Sequence, residues 1–471
     1  MLQPLKRTIA LVSLALSTML AGCSTIAHKP MAAAASDVNG HRTLAIFFDG
    51  TANDEQSDTN VKRLHSLVTL QKRRDIATLY IEGVGTGEDV LGMGLGLGMR
   101  PRVEIAYEFV LNHYLPGDRI FLFGFSRGSY AARILTSLLY HAGVVKGDGL
   151  SNKAIADIVY STVKGKMPDG SEPSRLDAVH KRLMYLNLKP SDPVPVELLG
   201  LWDTVEALGY RDSFSKLIHK LGIKKHEVNV DNANARYGDK LCNVRQVRHA
   251  MSIDDDREWI FTPRLMTRAF LFDGCAPKFP SMLKTSDGRV DTSRLKQVWF
   301  AGAHSDVGGG YPDSQLSGVS LNWMLDELRN PAFDLIPPDA AVPQDPFGTS
   351  HDPESSWFSP LYHAVNRDIV SYALQNATVP GYRGSICVHP AVFERRRVMI
   401  PKHHENDQLI LRQPGTVCLV DDDRPDLSYR SRYKERQDTS PCCKESHEAS
   451  QSCKAFIDVR QFPDCQQETT P

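Results

Sequence analysis

The stretch RIFLFGFSRGSYAARIL, residues 119–135, decides how the chain is read. The apolar run from Ile120 to Phe125, broken only by Gly124, has the length of a strand buried on both faces. Beyond it, Ala131, Ile134, Leu135, Leu138 and Leu139 recur at helical spacing, and Gly143 stands where a helix C-terminus is expected. Between strand and helix lies a G-x-S-x-G pattern, with Gly124 and Gly128 flanking Ser126. The pattern alone is weak, because glycine and serine are common. Its setting gives it a mechanism. A sharp strand-to-helix turn lifts the serine hydroxyl clear of the backbone, and small residues at 124 and 128 avoid the clashes of so tight a turn. The helix N-terminus beneath favours negative charge developing beside Ser126.

Other apolar runs end in turns of the same kind. TLAIFFDGT (43–51), ATLYIEGVGTG (77–87), PVELLGLWDT (195–204) and KQVWFAGAHSD (296–306) read as strands separated by amphipathic stretches. That alternation predicts an α/β fold: a mostly parallel sheet covered by helices on both faces. LGMGLGLGM (91–99) fails the G-x-G-x-x-G spacing of a dinucleotide site and reads as an apolar loop. After about residue 330 the chain becomes rich in proline and aspartate, as in a loop or linker, with a helix expected over 360–376. RRRVMIPKHH (395–404) reads as a charged strand edge.

A serine needs a base, and the base needs an orienting carboxylate. In α/β hydrolases the three follow in the order Ser, Asp, His, each just past a strand. The aspartate closing an apolar run downstream of Ser126 is Asp203, and the histidine doing so is His304, followed by three glycines that permit a tight loop. The plainer readings are that Asp203 caps the next helix and that His304 is a polar turn residue. His249, in what reads as a helix or its approach, competes with His304 and is assigned a structural hydrogen bond. For an oxyanion hole, the backbone N–H of Arg127 is the expected first donor. The second is expected from the FFDGT strand end, at Asp49 or Gly50. Asp49 also resembles the start of a phosphatase loop, but Thr51 stands where the second aspartate of D-x-D is needed.

The 471 residues carry a net charge of −1, which gives no reason to expect a nucleic-acid partner. Residues 1–22 have a basic start, Lys6 and Arg7, an apolar run from Ile9 to Leu20, and small residues at the end. That is a secretory leader, too short for a comfortable membrane span. Its close, Leu20-Ala21-Gly22-Cys23, resembles a bacterial lipobox, so Cys23 is the expected lipidation site and residues 23–40 a flexible tether. Ser24 then favours the outer membrane, facing the periplasm. The other eight of the nine cysteines suit disulfides in an exported chain, several in a cysteine-rich tail from about residue 440. No C-x-x-C pair or finger-spaced histidine suggests zinc, SIDDDRE (252–258) lacks the glycine and glutamate of a calcium loop, and the chemistry calls for no cofactor. SFSKLIHKLGIKK (213–225) is a basic amphipathic stretch within a candidate lid insertion at about 211–245.

FFDGTAND, GVGTG, YLPGDRIFLFGFSRGSYAAR, GLWDTVEALG, RHAMSIDDDREWIFTPRLM and WFAGAHSDVGGGY occur in this order between about 43 and 325, with a weaker echo in VHPAVFERR (388–396). Together they resemble the α/β-hydrolase catalytic domain of type VI secretion phospholipase effectors and their bacterial and fungal relatives. The resemblance implies a Ser–Asp–His esterase acting on phospholipids, with its motif positions on Ser126, Asp203 and His304. It places the catalytic domain at 41–330 and an extension at 331–471. The leader is a departure, since such effectors are injected into rivals rather than tethered in their own envelope. An ester other than phospholipid, or an idle hydrolase fold that binds or protects, therefore stays open. Protein partners are not indicated.

Overall fold

Runs of apolar residues too continuous to face water on either side must be covered twice, and in the computed structural model they form the interior of one sheet. The structure describes residues 28–32, 42–50, 57–83, 99–165, 175–205, 240–255, 265–266, 268–272, 274–286, 291, 293–351, 385–395, 400–403, 409–412 and 458–461. The leader, Cys23, the basic stretch 213–225, the helix expected at 360–376 and the cysteine-rich tail apart from 458–461 lie outside them.

Among the described residues the sheet has nine strands. They are β1 (His28–Met31), β2 (Thr43–Phe48), β3 (Ile76–Ile81), β4 (Arg119–Phe125), β5 (Leu198–Trp202), β6 (Val247–Ser252), β7 (Leu295–Phe300), β8 (Ser385–Val388) and β9 (Asp458–Gln461). Their order is β1-β3-β2-β4-β5-β6-β7-β8-β9. Among the described residues, only the β1–β3 pair of this sheet is antiparallel. The strand leading to Ser126 is therefore the fourth in that order, inside the sheet between β2 and β5.

Alternation along β2 explains the layers. Leu44, Ile46 and Phe48 join one core with residues of α2 (Met99–His113), α3 (Arg127–His141), α4 (Asn152–Lys164) and α5 (Arg175–Tyr185). Ala45 and Phe47 point the other way, into a core built with α1 (Asn60–Leu70) and α7 (Gln315–Leu328). A short helix, α6 (His304–Gly308), follows β7. Helices on both faces of a parallel sheet are the arrangement the apolar runs predict.

Four expectations are revised. Residues 28–31 of the supposed tether pair with β3 as an edge strand. The segment holding His249 is a strand, β6, not a helix; its Arg248 and His249 are kept inside by partners, which no periodicity reveals. Every residue of α3 is buried, although its apolar positions mark only one stripe. The helix is enclosed by the sheet and its neighbours, and Arg133 lies 4.5 Å over the Phe270 ring instead of reaching solvent. The proline-rich segment after 330 packs Phe333, Leu335, Ile336 and Ala340 into the core beside α1 and α7. Residues 400–403 pair with 350–351 and 409–412 in a separate small sheet. Cys242 and Cys275 form a disulfide with Cα atoms 5.9 Å apart.

Candidate active site

Ser126 occupies the turn between β4 and α3 with φ 59° and ψ −125°, a conformation that costs an L-residue energy and is kept only where its surroundings demand it. Those surroundings are the two glycines. A Cβ at Gly124 would lie 2.6 Å from the Gly128 backbone and from Ser129 Cα. At Gly128 it would lie 2.2 Å from the Phe48 carbonyl oxygen and 2.5 Å from that of Asp49. The helix thus starts in direct contact with the end of β2. Ser129 Oγ donates to the Gly124 carbonyl at 2.6 Å, and the Ser126 N–H donates to the Trp202 carbonyl at 2.9 Å, tying the turn to β5.

Asp203 follows Trp202 at the end of β5, fully buried and also in the left-handed region, with φ 36°. Its Oδ1 accepts from the Ser252 N–H at 3.0 Å, and its Oδ2 lies 2.6 Å from His304 Nδ1. An ionised carboxylate there fixes the proton on Nδ1 and leaves the lone pair on Nε2, the form a general base requires. The His304 ring also packs on the Phe125 ring, centroids 4.6 Å apart, so the imidazole sits against the residue that precedes Ser126. Asp203 and His304 are brought together, as their order predicts.

The loop bearing His304 is fastened by carboxylates that motif reading passed over. Three successive backbone N–H groups each meet a different aspartate: Gly302 donates to Asp254 at 2.7 Å, Ala303 to Asp306 at 3.0 Å, and His304 to Asp255 at 3.0 Å. The cluster in SIDDDRE, which suggested capping or salt bridges, acts here as a clamp on backbone amides. Asp306 is itself held by His351, whose Nδ1 is 2.6 Å from Asp306 Oδ1 and whose ring stacks 3.8 Å from Tyr311. From the other side, Asn60 at the start of α1 donates to the carbonyls of Val307 and Ser317, both at 2.9 Å. The spacing of an aspartate cluster fifty residues from a histidine carries no signal that they meet.

His249 is buried on β6. Its Nε2 accepts from the Thr204 N–H at 3.2 Å, and its Nδ1 is 3.4 Å from Gln297 Oε1. It props the residue after Asp203.

The expected second oxyanion donor needs correction. Asp49 spends its N–H on the Ile81 carbonyl at 2.9 Å, continuing the β2–β3 ladder, and Gly50 donates its N–H to the Asp49 carboxylate at 2.6 Å. Neither is directed at the turn. Arg127 stands at the first position of α3, where its N–H points out of the helix start. Burial pushes the Asp49 carboxyl up to about 6 against the opposing pull of hydrogen bonds from Tyr80, Thr59 and Gly50. With both oxygens engaged, it does not present a phosphatase-type nucleophile.

Several known proteins are similar to the chain. A protein of Saccharomyces cerevisiae, Uncharacterized protein YEL023C, is 24% identical over 304 residues, covering 56% of this chain and 40% of its own. Among solved structures, an uncharacterized protein from Pseudomonas aeruginosa is 16% identical, covering 61% of this chain and 45% of that one, with a TM-score of 0.34. The Tle1 effector bound to the VgrG spike of the type 6 secretion system is 19% identical over 60% of this chain and 52% of its own, TM-score 0.29. A thermophilic esterase from Thermogutta terrifontis, with propionate bound, is 13% identical over 68% and 94%, TM-score 0.35. The chain spans about half or less of the length of the first three. Residues 42–327 match the model of the type VI secretion phospholipase effector Tle1-like catalytic domain, and the chain belongs to that family.

Proposed function

We propose that the chain is a lipid-anchored serine esterase of the cell envelope that hydrolyses acyl esters, those of phospholipids foremost. The observation that carries the reading is the 2.6 Å contact between Asp203 and His304 beside a serine held at φ 59°. Family membership supports a lipid ester as substrate. In this mechanism Ser126 Oγ adds to the ester carbonyl carbon while its proton passes to His304 Nε2, and Asp203 stabilises the imidazolium. The N-terminus of α3, with the Arg127 N–H, stabilises the oxyanion. The adduct collapses and expels the alcohol with the proton from His304. Water, deprotonated by the same imidazole, then releases the fatty acid from the acyl-serine. Cys23, carrying the lipid, would keep the enzyme at the membrane that holds its substrate.

The direct test is covalent. A fluorophosphonate probe should label the wild-type protein on Ser126, located by peptide mass spectrometry, and should leave Ser126→Ala unlabelled. Equal labelling of both proteins, or labelling at another serine, would overturn the assignment.

A further inference from the structure

The mechanism above uses no side chain from the end of β2, yet a fully buried carboxylate, Asp49, lies there. Its Oδ1 accepts from the Gly50 N–H at 2.6 Å, and its Oδ2 accepts from Thr59 Oγ1 at 2.7 Å and from the Tyr80 hydroxyl at 2.6 Å. Its backbone carbonyl accepts from the buried guanidinium of Arg102 and lies where only a glycine at 128 can pass. Thr59 makes a second connection: its backbone forms an antiparallel bridge with Gly309, and the neighbouring Asp58 carbonyl accepts from the Gly310 N–H at 3.1 Å. Gly309 closes the short helix that begins at His304. One carboxylate therefore links the strand end under the nucleophile turn, the start of α1, strand β3 and the glycine loop behind the base.

We infer that Asp49 is a positioning residue for ester cleavage, its carboxylate fixing the distance between the turn that carries Ser126 and the loop that carries His304. The inference rests on the serine-esterase reading. An asparagine would fill the same space and bear no charge, so packing alone gives no reason for a carboxylate wholly removed from water. Its acceptor capacity gives one: an ionised carboxylate accepts three hydrogen bonds, two from hydroxyls and one from an amide, whereas the amide of asparagine must also donate. The charged and titratable groups facing it are Tyr80 and Arg102, with Glu82 acting on Tyr80. Positioning of this kind acts on the chemical step, because an error of about 1 Å in the reacting groups costs about 100-fold in rate.

The experiment compares Asp49→Asn, Tyr80→Phe and Thr59→Val with the wild type on a soluble aryl ester, measuring kcat and KM separately, together with thermal melting at pH 8 and pH 5. Asp49→Asn should lower kcat at least tenfold and change KM less than threefold, while melting no lower than the wild type at pH 8. Tyr80→Phe and Thr59→Val should each lower kcat severalfold, and they carry the test if the asparagine variant does not fold. Folded variants with kcat within twofold of the wild type would overturn the inference. So would a kcat loss that follows only the fraction of protein unfolded. Ser126→Ala in parallel separates the two readings: if it stays active, the esterase assignment fails, whereas an inactive Ser126→Ala beside a fully active Asp49→Asn defeats the positioning role alone.

Discussion

His249 lies on β6 and His304 at the start of α6, just past the neighbouring β7, and the two differ in what their nitrogens face. His304 has its Nδ1 on a buried carboxylate, whereas His249 has its Nε2 on a backbone amide. His304→Ala should lower turnover about 10⁴-fold, comparably to Ser126→Ala, and the double variant should be scarcely worse than either, because the members of such a unit do not contribute additively. His249→Ala should lower the melting temperature and leave kcat of the folded fraction near wild type. Asp49 gives a stability effect with a definite sign. Its folded pKa, raised from 3.8 to about 6, means that the folded state binds the proton more tightly than the unfolded chain. Its contribution is fully present below pH 3.8 and is lost as pH rises through about 6. The loss amounts to about 3 kcal/mol at neutral pH. Asp49→Asn should therefore flatten the fall in stability between pH 4 and pH 7, measured by urea unfolding across that range. An unchanged slope would place the titration elsewhere.

Among elements, the β4–α3 turn was the most legible in sequence. An apolar run of strand length, a 3.6-residue repeat and two glycines meet within seventeen residues, and each is a local consequence of local sterics. Gly128→Ala puts a methyl group 2.2 Å from a backbone oxygen of β2, and neither the strand nor the helix can yield. The substitution should destabilise the protein by about 3 kcal/mol or more, read from denaturant midpoints. β6 was misread because Arg248 and His249 look like surface residues. Arg248 is held inside by Glu327 at 2.6 Å, from a helix almost eighty residues away. The same limit hid the aspartate clamp on residues 302–304 and the Asp49–Thr59–Gly309 link. Apart from Asp306, which is three residues from Ala303, their partners are brought together by the order of elements in the sheet. The FFDGT strand end was legible as a strand, but the direction of its N–H groups depends on β3 and on Asp49 ionisation.

At the scale of the whole molecule, the proposed export would carry the disulfide between Cys242 and Cys275 into an oxidising compartment, where such bonds persist. By loop-closure entropy, a bridge spanning 33 residues is worth about 4 kcal/mol. Mass spectrometry of the mature N-terminus should find a lipid-modified Cys23, and an unmodified N-terminus in a soluble periplasmic fraction would contradict the anchor. An enzyme held at a membrane meets its substrate as a surface, so its rate on vesicles matters more than its rate on dissolved esters. The most direct measurement is fatty-acid release from phospholipid vesicles by the purified protein, with a short aryl ester and Ser126→Ala alongside. The wild type should release fatty acid from vesicles and cleave the aryl ester, and Ser126→Ala should do neither above background. Release by Ser126→Ala at the wild-type rate, or no cleavage of either ester by a folded wild-type protein, would contradict a serine esterase at this site.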